Sequence, residues 1–193
     1  MIFALLVACH ARQAVGDSIT ADVPAPPGYD ATLRAGTREL RLYSDGLTTS
    51  LLLRAVWLAP DVRRAMEAQR AHVLLLEPEV RAERLAASLA EADTAYVFVF
   101  SADSQFREDL RFGFGEDEPW RLRLFAGGRP CTPETVVEIE PTPLELDLYR
   151  HHNRWSSLWS ARFSKDCGQG PLVLQVTGPH GTGELGWPSE SAE

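Results

Sequence analysis

Lysine is almost missing from this chain of 193 residues: Lys165 stands alone among 19 Lys and Arg side chains. Chemistry that needs an ε-amine therefore has one candidate, set in a polar stretch beside Asp166. The remaining basic residues are arginine in an Ala- and Leu-rich chain, a codon effect of a GC-rich coding sequence before it is a physical choice. Cysteine is scarce at three residues, and no C-x-x-C spacing occurs, so a structural zinc site has little support. No apolar run reaches the roughly 20 residues that span a bilayer as a helix. Positive charge is also in deficit. The formal net charge is -8, which argues against nucleic acid as a partner, because that binding rests on neutralising phosphates. With 14 glycines and 13 prolines scattered along the chain, it is no low-complexity polymer. A hydrophobic share of 45% against 24% charged residues is that of a globular domain.

What is present begins at the amino terminus. Met1 to Cys9 read Met-Ile-Phe-Ala-Leu-Leu-Val-Ala-Cys, eight apolar residues running into a cysteine with no charge before Arg12. An apolar segment closed by a small residue is the form of a secretory signal. Leu6-Val7-Ala8-Cys9 resembles the lipobox of bacterial lipoproteins. The resemblance implies that Cys9 is lipidated, becomes the first mature residue and holds the protein to a lipid bilayer. It also implies the bacterial cell envelope, with the domain facing the periplasm and anchored to the outer membrane. A basic n-region and a longer apolar core are lacking here, so the expectation is a coding start further upstream. The competing reading makes Met1 to Val7 a buried first strand of a cytosolic protein.

Residues 10–29 carry Gly16, Asp17 and Ser18, then Pro24-Ala25-Pro26-Pro27-Gly28, with no helical or alternating period. Such a segment stays extended and acts as a spacer. The division that follows is 1–8 as a partial signal segment, 9–31 as lipidated Cys9 and tether, 32–188 as one folded domain, and 189–193 as a disordered tail. Setting Cys9 aside leaves Cys131 and Cys167, an even number. In an exported chain they are a candidate disulfide, closing a loop of about 37 residues worth roughly 3–4 kcal/mol in the chain-entropy model. Two unrelated buried thiols are the alternative.

Along the folded part, Glu39 to Ser44 alternates apolar and polar, Asp45-Gly46 signals a turn, and Leu51 to Leu58 is nearly all apolar. Pro60-Asp61 and Glu77-Pro78-Glu79 read as two helix starts. Val62, Met66 and Val73 give the first helix its apolar face; Val80, Leu85 and Leu89 give the second its stripe. The rest reads as strand: Tyr96–Phe100, Leu110–Phe114, Trp120–Leu124, Val136–Ile139, Leu144–Leu148, Trp155–Phe163, Leu172–Val176 and a last one around Leu185 and Trp187. Strands at this spacing predict a mainly β, antiparallel sandwich-like domain with a two-helix insertion after the second strand.

Candidate chemistry is thin. Gly181-Thr182-Gly183-Glu184-Leu185-Gly186 matches G-x-G-x-x-G, but too little chain follows for the helix and acid of a dinucleotide site. No cofactor is expected. His151-His152 would point to opposite faces of a strand and lack a third ligand, so they read as exposed or capping residues. Ser156, Ser157 and Ser160 lie near His152 without a G-x-S-x-G elbow. Glu138/Glu140 and Glu145/Asp147 share strand faces at i, i+2 and read as solvated positions. Glu108, Asp109, Glu116, Asp117 and Glu118 form an acidic turn without the EF-hand pattern. Of five tryptophans, Trp57, Trp120, Trp155, Trp159 and Trp187, most belong to a core in an alternating β chain, and one or two at an edge could form a binding face. The expectation is a non-catalytic envelope interaction module. An exported glycan- or peptide-binding module and, behind it, a hydrolase are the alternatives. A concave patch of exposed Trp and Arg would favour the binder; a cleft with convergent Ser, His and carboxylates would favour the enzyme.

Overall fold

Continuous apolar runs become central strands here, and alternating runs become strands with one wet face. The computed structural model describes residues 26–189 apart from 45–47, 106, 108–109, 114–116 and 154. Cys9, nearly all of the tether, the Asp45-Gly46 turn, Glu108, Asp109, Glu116 and residues 190–193 lie outside the described residues. The strands are β1 (Thr37–Ser44), β2 (Thr48–Trp57), β3 (Ala95–Asp103), β4 (Arg121–Ala126), β5 (Arg129–Cys131), β6 (Thr135–Ile139), β7 (Ser157–Ser164), β8 (Leu172–Gly178) and β9 (Gly181–Trp187). They form a five-stranded sheet in the order β1-β2-β3-β7-β6 and a four-stranded sheet in the order β5-β4-β8-β9. All ladders between them are antiparallel. The helices are α1 (Tyr29–Gly36), α2 (Pro60–Val73), α3 (Pro78–Thr94) and α4 (Pro143–Leu148). The architecture is the predicted mainly β, sandwich-like one, with α2 and α3 inserted after β2.

The two sheets meet over Leu51 and Leu53 of β2, Phe98 and Phe100 of β3, Leu124 of β4 and Leu172 and Leu174 of β8, all fully buried. The far face of the five-stranded sheet is covered as well. Val56, Val99 and Leu158 meet Tyr29 and Leu33 of α1, Val62 and Met66 of α2, and Leu148 of α4. This second cover explains why β3 is buried from Ala95 to Ala102 without alternation: neither of its faces meets water. Ser50 is the extra residue of a bulge, where Leu42 faces Leu51 and Tyr43 faces Thr49. Its hydroxyl donates to the Leu42 carbonyl, so the interrupted ladder keeps a bonded oxygen.

Cys131 ends β5 and Cys167 closes a 3-10 turn, Lys165–Cys167. Their Cα atoms are 5.6 Å apart and the sulfurs are bonded, well inside the bridging limit of about 7 Å. No helix of the described residues is long and apolar enough to cross a membrane.

Several expectations are corrected. Leu144–Leu148 is helix, not strand: Thr142 accepts from the Glu145 N–H, Glu145 reaches back, and Pro143 sits in the first turn. Glu145 and Asp147 therefore do not share a face, since two helical steps turn about 200°. The folded body includes Tyr29, which opens α1 and is 2% exposed, ahead of the expected Thr32. Leu110 and Phe112 are buried but join no strand; only an isolated bridge links Phe112 to Trp120. Trp155 precedes its strand, which starts at Ser157. The α3 stripe is no core: Val80 is exposed, Leu85 and Leu89 are half-buried, and Ala92 is the buried residue.

Candidate functional site

Trp57, Trp120, Trp159 and Trp187 are buried, whereas Trp155 is 58% exposed. A short turn holds it outward. The Asn153 side-chain oxygen accepts from the Trp155 N–H at 2.8 Å. The Ser156 N–H donates to the Asn153 carbonyl at 3.1 Å, and the Asn153 N–H donates to the Ser156 hydroxyl at 3.2 Å. Such side-chain bonds fix a turn before a strand begins. The Arg107 guanidinium lies 5.9 Å from the Trp155 ring centroid, and its Nη2 donates to the Trp155 carbonyl. Ring and cation stiffen each other.

Beside Trp155 runs an open groove of about 640 Å3. Arg107 and Arg111 come from the segment after β3, Glu138 from β6, and Glu140 and Pro141 follow it. Leu110 and Leu158 give it an apolar base. Arg111 is steadied by the Asp117 carbonyl at 3.1 Å and by Glu118 at 3.8 Å. β6 is an outer strand of its sheet, so this groove runs along a sheet edge. Cations, carboxylates and one exposed aromatic ring share one concave surface.

The serine–histidine pair is close. Ser156 Oγ lies 3.0 Å from His152 Nδ1. The hydroxyl also donates to the Asn153 carbonyl at 2.9 Å. The hydroxyl is thus held between a turn carbonyl and a ring four residues back, and the arrangement ties the turn. Burial lowers the His152 pKa. Ser157 donates to the Ala102 carbonyl at 3.4 Å and accepts from the Trp159 indole at 2.8 Å. Ser160 sits within β7 opposite Val137.

His151 and His152 are not exposed, so of the two expectations, exposed or capping, the first is corrected. His152 is 9% exposed. Both ring nitrogens of His151 are buried without a hydrogen-bond partner. Burial, then the neighbouring charges of His152 and Arg54, push the His151 pKa down to about 4. Among the described residues no group of three or more His, Cys, Asp or Glu side chains could hold a metal. Asp147 accepts from Gln69 at 2.5 Å and pairs with Arg150 at 3.5 Å, while Glu145 caps α4. Gly181, Gly183 and Gly186 lie within β9, where a Cβ on Gly183 would meet Leu40 at 2.4 Å. Gly183 lets β9 approach β1, while a Cβ on Gly181 or Gly186 would meet nothing within 4 Å.

Sequence reasoning found Trp155 as one ring among five and missed Arg107 and Arg111. No spacing in the sequence ties them to it: 48 positions separate Arg107 from Trp155, and the fold alone joins them.

No protein-family model matches the chain. No curated protein matches it either. Among solved structures it is similar to a novel protein of unknown function from Burkholderia pseudomallei, at 13% identity over 97% of this chain and 93% of that chain, with a TM-score of 0.43.

Proposed function

We propose that this protein is an exported, lipid-anchored module of the bacterial envelope that binds an extended peptide segment and performs no catalysis. The observation that carries the binding reading is the exposed Trp155 ring, stiffened by Arg107, in a groove along the β6 edge. A sheet edge offers backbone groups to an added strand, and flanking side chains select the sequence. Trp155 supplies a rigid anchor, Arg107 and Arg111 favour acidic side chains, and Glu138 and Glu140 favour basic ones. Binding rather than hydrolysis is supported by Ser156, whose hydroxyl is engaged in the turn by the Asn153 N–H and carbonyl. The Cys131–Cys167 bond supports export, because disulfides persist in oxidising compartments. The membrane anchor is Cys9, through its resemblance to a lipobox.

Display panning of random peptides on the wild-type protein, with counter-selection on Trp155→Ala, tests the reading. Enriched peptides should bind Trp155→Ala at least about tenfold more weakly, while its melting temperature is unchanged, since the ring is largely in water. Peptides that bind both proteins alike would overturn it. Binding of soluble cell-wall glycan fragments instead, lost in Trp155→Ala, would replace the peptide by a glycan. The anchor is tested separately. Labelled palmitate fed to a bacterial host should label the product, and Cys9→Ser should abolish the label.

A further inference from the structure

A second cavity, of about 480 Å3, lies between α2 and α3. Arg63 on its wall is 4% exposed. A guanidinium has five N–H donors in a planar fork. Here Nε donates to the Leu58 carbonyl at 2.8 Å, and Nη1 to Glu91 at 2.8 Å and to the Ser88 hydroxyl at 3.2 Å. Nη2 is buried and has no hydrogen-bond partner. Leaving charged donors dry and unpaired is costly, so such an atom calls for an acceptor.

The surroundings say what kind. Arg70 and Arg84 share the lining, and both lean on one carboxylate, Glu67, at 3.3 and 3.2 Å. Glu91 is shared in the same way between Arg63 and Arg162. Three arginines and two glutamates line the space, a surplus of one positive charge in a chain of net charge -8. Tyr149 adds a phenol, which burial pushes up to about 12 and so keeps protonated. Ser88 adds a hydroxyl.

We propose that this cavity binds a small oxyanion, the phosphate or carboxylate group of a ligand. The guanidinium groups of Arg63, Arg84 and Arg70 supply the positive charge, and Ser88 supplies a hydroxyl. Guanidinium groups match the geometry of either anion, and charge-assisted bonds are the strong ones in such a site. This site is separate from the Trp155 groove and does not depend on its function.

Thermal unfolding at constant ionic strength and neutral pH tests it, with inorganic phosphate, succinate and chloride as probes. A ligand of the native state raises its melting temperature in a saturable way. Phosphate, succinate or both should do so, and chloride should not; which of the two acts identifies the source of the anion. In Ser88→Ala/Arg84→Gln the apparent Kd should rise about tenfold or more, as expected when charge-assisted contacts are lost. Arg63 is left in place there, because removing it would strip Leu58 and Glu91 of their partner. As a readout that needs no variant, the Arg63 Nε–H resonance should shift during the titration. No saturable effect from either anion, an unchanged titration in the double variant, or a motionless Arg63 resonance would overturn the site.

Discussion

Phe98 and Val99 are neighbours on β3 and look in opposite directions. Phe98 enters the space between the sheets, with ring centroids 5.9 Å from Phe163 and 5.1 Å from Trp187. Nearby, Phe100 meets Phe112 at 5.0 Å. Val99 enters the space under the helices, a smaller cluster with Val56, Met66 and Leu158. That side also holds buried Arg63 and Gln69, each with a polar atom left unpartnered. One face is thus an aromatic, dry core that fixes the fold. The other tolerates charge and unmade bonds, as surfaces kept for a ligand do. The oxyanion cavity opens on that side, and Leu158 at the base of the Trp155 groove belongs to it too.

The largest expected effect tests that contrast with one substitution made twice. Leu174 of β8 and Leu158 of β7 are both fully buried. Leu174 is walled by two sheets whose ladders cannot close a void. Leu158 faces helices that can settle by small shifts. Leu→Ala costs about 2–5 kcal/mol according to how well the site collapses. Leu174→Ala should fall near the upper end, about 4–5 kcal/mol, and Leu158→Ala near the lower, about 2–3 kcal/mol. Urea unfolding of the two variants measures the difference. Equal losses would mean that the helix layer is as rigid as the sandwich.

The same contrast marks what could be read from the sequence. The sandwich face was legible, because Leu122 and Leu124 alternate with Arg121 and Arg123, and such a period has one structural meaning. Tyr96 to Phe100 read only as a strand; its burial on both faces is a property of the fold. Leu144, Leu146 and Leu148 imitated a strand by spacing alone, while the Thr142–Glu145 capping box was the stronger signal. The cysteine pair was offered by parity alone, against the alternative of two unrelated thiols. The sites were not legible. Arg107 meets Trp155, and Arg63 meets Glu91, only after sheets and helices have closed.

The next effect is read by pH. His151 lies on the helix side, beside the Tyr149 ring at 6.1 Å, and lines a cleft with Asp30, Arg34 and Arg150. Burial, with His152 and Arg54 adding to it, lowers its pKa from 6.5 to about 4. As pH falls through 6.5 the unfolded chain takes up the proton first and the folded one resists until about 4. Stability from this group is therefore complete above that window and is lost within it, to a limit of roughly 3 kcal/mol. In His151→Phe the ring contact survives and the proton site does not. Its stability should fall less steeply across the window, and parallel pH profiles for variant and wild type would refute the assignment. Leu174→Ala removes no titratable group, so it should keep the wild-type slope.

The smallest effect has the opposite sign and lies in the link from α2 to α3. Leu75 has φ +50 and is 85% exposed. The Leu76 N–H returns to the Ala71 carbonyl at 3.0 Å and the Leu75 N–H to the His72 carbonyl at 3.4 Å. This is the helix ending in which glycine usually takes the left-handed position. A leucine there carries about 1–2 kcal/mol of strain. Glycine relieves it but loses about 0.5–1 kcal/mol through the greater freedom of the unfolded chain. Leu75→Gly should therefore gain about 0.5 kcal/mol, about 1–2 °C in Tm for a chain of this size. Leu75 packs on nothing in either core, so no cavity term offsets the gain. A loss of stability would show that Leu75 is held by contacts in the folded protein, and that the helix side is more tightly built than its half-buried α3 implies.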